Sequence, residues 1–188
     1  MSDQHDPTLP DHLAPWIAKG QELAAADERE RVRMRQMRFD TIAVHGLYSA
    51  EAALANGGSV IEPAFLSPAQ HFPDSDAMEA ALGYLMPAWG YTRIANPTVT
   101  YLEETLALLE TYQTGLTASA VATSSGMAAV DMAVGPFLAV DPTLPPANVV
   151  VSAKCYGGTF QLFSQRYARE RGIDVRWVRD PLDTAQWA

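Results

Sequence analysis

The sequence predicts an α/β protein: a helical and extended arm, then the start of a mainly parallel sheet flanked by helices. Three observations carry this. From residue 118 onward, short apolar runs alternate with helical segments, the pattern of parallel strands joined by helical crossovers. Residues 39–90 hold prolines and the Asn56-Gly57-Gly58 break, and read as an arm with little sheet of its own. The length of 188 residues, with 48% hydrophobic and 19% charged, suits one domain or a domain plus an arm.

The elements follow in chain order. Residues 1–12 are polar and Pro-containing, and are expected to be loosely packed. Residues 14–38 suit a helix, and the mixed charges of 27–38 are expected to form a solvated face. Phe39 to Val44 leads into His45-Gly46, then an Ala-rich piece. Residues 59–68 are extended in character, with Pro63 and Pro68 barring a long helix. Such an arm is expected to pack on another surface, in the simplest case a second subunit. Asn96-Pro97-Thr98 is a helix entry: the residue before proline avoids helical angles, proline suits the first turn, and Asn can cap. Leu102, Leu106 and Leu109 recur at helical spacing, with Glu103, Glu104 and Glu110 off that stripe, to about Thr111. Residues 118–122 read as a buried strand. Residues 127–140 read as a helix disturbed at Gly135-Pro136. Residues 148–152 read as a strand, 159–171 as a helix stopped by Gly172, and 173–178 as a strand. The expected sheet has about three strands and an open edge that invites pairing.

With 13 basic and 22 acidic residues the net charge is −9, which argues against a surface built to neutralise nucleic-acid phosphates. One cysteine, Cys155, permits no internal disulfide, and a cytoplasmic setting is expected. The acidic, polar start lacks the pattern of a secretory signal. No run of roughly 18 apolar residues occurs, so no membrane span is expected.

Three short segments carry the chemistry. In Ala120-Val-Ala-Thr-Ser-Ser-Gly-Met-Ala-Ala129 an apolar run meets Ser124-Ser125-Gly126 and then a helix. A helix N-terminus offers unpaired N–H groups and a positive dipole end to a phosphate. Gly126 permits close approach of an anion, and Ser124 or Ser125 could cap the helix or donate a hydroxyl. Alone, such a turn is more often only a cap. No P-loop or dinucleotide glycine fingerprint is present, and Thr123 stands where a nucleophile elbow needs glycine. In Tyr91-Thr92-Arg93 the guanidinium could grip a phosphate in bidentate fashion and Tyr91 could add a hydroxyl. By position alone a surface arginine beside a packed tyrosine is the commoner case. Cys155-Tyr156-Gly157-Gly158 follows the strand at 148–152, and ligands in open α/β sheets sit at strand C-termini. Tyr156 could stack there on a flat cofactor, and the glycines allow a tight turn. Cys155 has no histidine near it in sequence (the four are His5, His12, His45 and His71), so neither a Cys–His catalyst nor a metal site is expected.

Taken together, Tyr91-Thr-Arg-Ile-Ala-Asn-Pro-Thr98, Ala122-Thr-Ser-Ser-Gly-Met-Ala-Ala129 and Cys155-Tyr-Gly-Gly-Thr-Phe-Gln-Leu-Phe163 resemble, in order and spacing, the trans-sulfuration family of pyridoxal 5′-phosphate (PLP) enzymes. That family includes cystathionine γ-synthase, cystathionine lyases, methionine γ-lyase and O-acetylhomoserine sulfhydrylase. The resemblance runs from about Thr41 to the C-terminus. It implies an aminotransferase-like, fold-type I architecture, with an N-terminal extension at 1–40, the enzyme's arm at 41–90 and the first part of the PLP-binding large domain at 91–188. It implies a homo-oligomer, a dimer of dimers, in which Tyr91 and Arg93 reach the neighbouring subunit's PLP phosphate. Ser125, Gly126 and Met127 would hold the phosphate of the subunit's own PLP. Tyr156 would stack on the pyridine ring and serve as the catalytic acid–base group. The substrate would be a sulfur amino acid or a homoserine ester, processed by γ-elimination or γ-replacement. In that family the Schiff-base lysine lies further along the chain. Here the lysines are Lys19, outside the resemblance, and Lys154, two residues before the stacking tyrosine. The chain is therefore expected to be an N-terminal fragment without that lysine, inactive by itself. The alternative is a non-catalytic interaction module that pairs with a complete homologue.

Overall fold

Pro15 lies in the first turn of a long helix, where its missing N–H costs nothing. That helix, α1, spans Ala14–Arg35. The computed structural model describes residues 10–139, 143, 145 and 147–187. Most of the expected polar lead, with His5, and Val140 at the end of an expected helix lie outside the described residues. The chain divides into two compact units, Met1–Ala122 and Thr123–Ala188.

The first unit is helical. After α1 come α2 (Phe39–His45), α3 (Ala50–Ala55), α4 (Ser75–Leu82) and α5 (Pro97–Glu110). Ser49 and Asp74 cap α3 and α4 by accepting the N–H of the third residue on. One face of α1 serves two apolar clusters. Near its start Leu13, Trp16 and Ile17 pack with Ala80, Ala81 and Met86. Near its end Met34 packs with Ile42 and Leu108. The charged run stays largely in solvent, as expected, with Glu30 and Arg31 partly covered. Arg31 grips Glu104 of α5 in a bidentate pair at 2.9 and 2.7 Å. The apolar cluster beside that contact covers one face of α5. Ala107 and Leu108 are buried, whereas Leu102 and Leu106 of the expected stripe remain 51% and 42% exposed. The spacing identified the helix; the covering elements chose the face beside Glu104.

Residues 118–122 are not a strand. Four of the five are exposed, and the Ala122 N–H is taken by the Glu103 carboxylate at 2.6 Å. A strand exists only against a hydrogen-bonded neighbour, and none meets this segment among the described residues. The sheet of the described residues therefore has two strands instead of about three.

The second unit holds α6 (Gly126–Val134), β1 (Asn148–Ser152), α7 (Gly157–Gln161) and β2 (Asp174–Val178). The strands pair in parallel, Asn148 opposite Asp174 through Ser152 opposite Val178. Gly135-Pro136 does more than disturb the helix read over 127–140: α6 stops at Val134, because proline cannot donate its N–H, and a 3₁₀ turn, Gly135–Leu138, follows. Helix α7 begins two residues before the expected start and continues as a π-helix, Leu162–Glu170. Gly157 and Gly158 thus form its first turn rather than a separate tight turn. Gly172 follows at φ +69°, a left-handed position that glycine takes without strain. Leu138, Phe163, Tyr167 and Ile173 make the core, packed by Val130, Val149, Val151 and Val175.

Candidate functional site

The second unit brings Ser125, Gly126, Met127 and Tyr156 together at one end of its helices. Ser125 is extended (φ −163°, ψ 156°) and its Oγ accepts the Ala128 N–H at 3.2 Å. It is the helix cap, as one of the two sequence readings allowed. Capping uses a lone pair, so the Ser125 hydroxyl proton stays free to donate. The Ala129 N–H goes to the Ser125 carbonyl at 3.0 Å. Among the described residues the Gly126 and Met127 N–H groups have no acceptor, and a Cβ on Gly126 would meet nothing within 4 Å. The turn is an open set of N–H donors at the positive end of a nine-residue helix.

Tyr156 leaves β1 through Ala153-Lys154-Cys155 and sits one residue before α7, extended (φ −59°, ψ 142°) and 75% exposed. Its neighbour Gly158 is the residue that the sequence reading missed. A Cβ there would lie 2.8 Å from the Tyr156 ring and 3.3 Å from Met127 Sδ. Gly158 has no left-handed φ, so what it supplies is space. It lets the tyrosine ring lie against the helix end that carries Met127. Thr159 fixes the same sulfur, its Oγ1 3.6 Å from Met127 Sδ. The sequence offered only a hint, the doubled glycine; the crowding is visible only in three dimensions. An anion on the α6 turn and a flat ring beside Tyr156 would share this corner. The donors are N–H and O–H groups with no carboxylate among them, which suits a phosphorylated ring compound.

Tyr91 and Arg93 lie together in the first unit, and both are exposed. The Arg93 guanidinium stands 5.2 Å from the centre of the Tyr91 ring, a cation–π arrangement. The residues between and after them are fastened. Thr92 donates its N–H to Pro68 and its hydroxyl to Ser67, at 2.9 and 2.7 Å. Asn96, 4% exposed, caps α5 by accepting the Thr98 N–H at 2.9 Å. Its Nδ2 donates to the Phe65 carbonyl and to Thr92 Oγ1, at 3.0 and 3.1 Å. Thr98 Oγ1 accepts the Phe65 N–H at 2.9 Å. Sequence reasoning saw the cap but not this clasp, which holds the extended 63–69 segment against the base of α5.

Cys155 is a partly buried free thiol. Among the described residues no group of three or more His, Cys, Asp or Glu side chains could hold a metal ion. No helix among them is long and apolar enough to cross a membrane.

Residues 40–188 match the family described as Cys/Met metabolism PLP-dependent enzyme. The chain is 33% identical over 151 residues to homocysteine synthase of Schizosaccharomyces pombe, covering 78% of this chain and 32% of that protein. It is 33% identical over 140 residues to L-methionine gamma-lyase of Pseudomonas deceptionensis, covering 74% and 32%. It is 37% identical over 150 residues to O-acetyl-L-homoserine sulfhydrylase 1 of Thermus thermophilus, covering 76% and 30%. The chain thus spans about a third of the length of the curated relatives it matches.

Proposed function

The chain belongs to the Cys/Met metabolism PLP-dependent enzyme family, and on that premise we propose that it supplies a PLP grip to sulfur amino-acid chemistry. The observation that carries the reading is the corner formed by the open α6 turn and Tyr156 around Gly158. Gly126 and Met127 would donate backbone N–H groups to the phosphate, with the Ser125 hydroxyl as a third donor. Tyr156 would cover one face of the pyridine ring, and its exposed phenol can move a proton to or from a leaving group. PLP, when bound, supplies the electron sink that stabilises a carbanion beside nitrogen. Tyr91 and Arg93 would hold the phosphate belonging to a neighbouring copy. Val60, Ile61 and Leu66, 86%, 74% and 90% exposed on the arm, support a second subunit as its covering surface.

The names of the relatives span synthases, a gamma-lyase and a sulfhydrylase. The parent reaction proposed here is γ-elimination or γ-replacement on sulfur amino acids or homoserine esters, in the cytoplasm. These 188 residues are proposed to be an inactive part of that enzyme, since neither Lys19 nor Lys154 occupies the position of the cofactor-bonding lysine. Lys19 lies outside the family match, and Lys154 is exposed two residues before Tyr156.

The test is a titration of the purified chain with pyridoxamine 5′-phosphate and with pyridoxamine, alongside turnover assays with PLP and L-methionine, cystathionine or O-acetyl-L-homoserine with sulfide. The phosphorylated compound should bind at least about tenfold more tightly, and no turnover should appear. Equal binding of the two compounds removes the phosphate grip. Turnover removes the inactive status.

A further inference from the structure

Both helices that serve the corner begin at it. The α6 N-terminus holds the N–H donors, and α7 starts directly after Tyr156. How far the donors stand from the tyrosine ring therefore depends on how these helices are fixed to each other. Near the corner the contacts are soft: the methionine sulfur, the Thr159 hydroxyl and the edge of the Tyr156 ring.

Further along the two helices, a polar side-chain bond from a buried tyrosine to an exposed aspartate links them directly. The Tyr167 hydroxyl donates to Asp131 Oδ1 at 2.6 Å. Asp131 lies on α6, five residues below Gly126, or about 7.5 Å along the helix. Tyr167 lies in the π-helical continuation of α7 and is 0% exposed. Its ring stacks on Phe163 with centres 5.4 Å apart, and the Arg171 guanidinium stands 5.0 Å from its centre. Room for the hydroxyl comes from Gly135, where a Cβ would already touch it at 3.5 Å. A hydrogen bond to a carboxylate is short, directional and stronger than one between neutral groups. Burial, with Asp131 beside it, pushes the Tyr167 phenol above its ordinary range, so the proton stays on the tyrosine as donor.

We propose that Asp131 and Tyr167 are positioning residues that lock α6 to the α7 continuation and so set the Gly126–Met127 phosphate turn at its working distance from Tyr156. Neither touches the corner itself. The inference rests on the phosphate-grip reading of that corner. It gives a role to the exposed aspartate that is the one charged residue of an otherwise apolar helix, Gly126–Val134, and to the hydroxyl of the buried Tyr167 that faces it.

The experiment measures the binding ratio of pyridoxamine 5′-phosphate to pyridoxamine in the full chain and its variants. Tyr167→Phe, which removes one oxygen, should lower that ratio about tenfold while leaving the affinity for pyridoxamine within about threefold. Asp131→Ala should do the same, and the double variant should be no worse than either single one, as for partners in one bond. Asp131→Asn keeps the acceptor oxygen and should restore most of the ratio. A protein that had only lost stability would melt lower with the ratio intact once folded, and that outcome overturns the proposal. Additive losses in the double variant overturn it too. If Tyr167→Phe does not fold, Asp131→Ala and Asp131→Asn decide by themselves. If the unaltered chain prefers neither compound, the phosphate-grip reading falls and this inference with it. An intact ratio in the variants sinks the inference alone.

Discussion

At the scale of single residues, two positions do more than their place in the sequence suggests. Asn96 uses its oxygen to cap α5 and its nitrogen to hold Phe65 and Thr92, so one buried amide serves three partners. Asn96→Ala should cost about 2 kcal/mol, the sum of a lost cap and a partly buried carbonyl left without its donor. Asn96→Asp, which keeps the cap but sets a buried carboxylate oxygen against the Phe65 carbonyl, should cost at least as much. Urea unfolding of the two variants checks this, and a loss below about 0.5 kcal/mol for alanine would show that the clasp bears no load. Gly158 is the other case. Its want of a side chain lets the Tyr156 ring lie beside Met127. Ser125 and Tyr156 were legible because capping and strand-end placement are local rules. The Gly158 demand was not, because it depends on a ring and a sulfur from two separate elements.

At the scale of elements, local signals and structure agree where the element makes its own hydrogen bonds or meets a neighbour that completes them. Asn96-Pro97 opens α5, and β1, paired with β2, spans the residues read for it. The disagreement at residues 118–122 is of another kind. An apolar run has the propensity for a strand, but a strand needs an edge to pair with, and the described residues give that segment none. Helix α1 lies outside the family match yet braces the first unit through two apolar clusters and the Arg31–Glu104 pair. It comes close to residues 85–86 at Gly20, where a Cβ would stand 2.8 Å from the Leu85 carbonyl oxygen and 3.0 Å from Met86 Cα. Glycine in a helix interior is normally about 1 kcal/mol worse than alanine. Here backbone crowding opposes that gain, because the helix must shift to admit the methyl group. Gly20→Ala should therefore lower the unfolding midpoint in denaturant. A raised midpoint would mean that α1 is not held against residues 85–86 as described.

At the scale of the whole molecule, the chain is acidic and α/β, with a parallel strand pair and a family match over residues 40–188. The motifs made the family legible in the sequence because each pairs an anion-binding residue type with a helix start or a strand end. The site proposed for this chain is narrower than the family: the α6 turn and Tyr156 together would hold a phosphorylated ring. The most direct measurement is an amide and aromatic NMR map of the chain as pyridoxamine 5′-phosphate is added, with pyridoxamine as the control. The Gly126 and Met127 amides should shift with the phosphorylated compound only, together with the Tyr156 ring signals. Shifts confined to other residues, or the same shifts from both compounds, would contradict it.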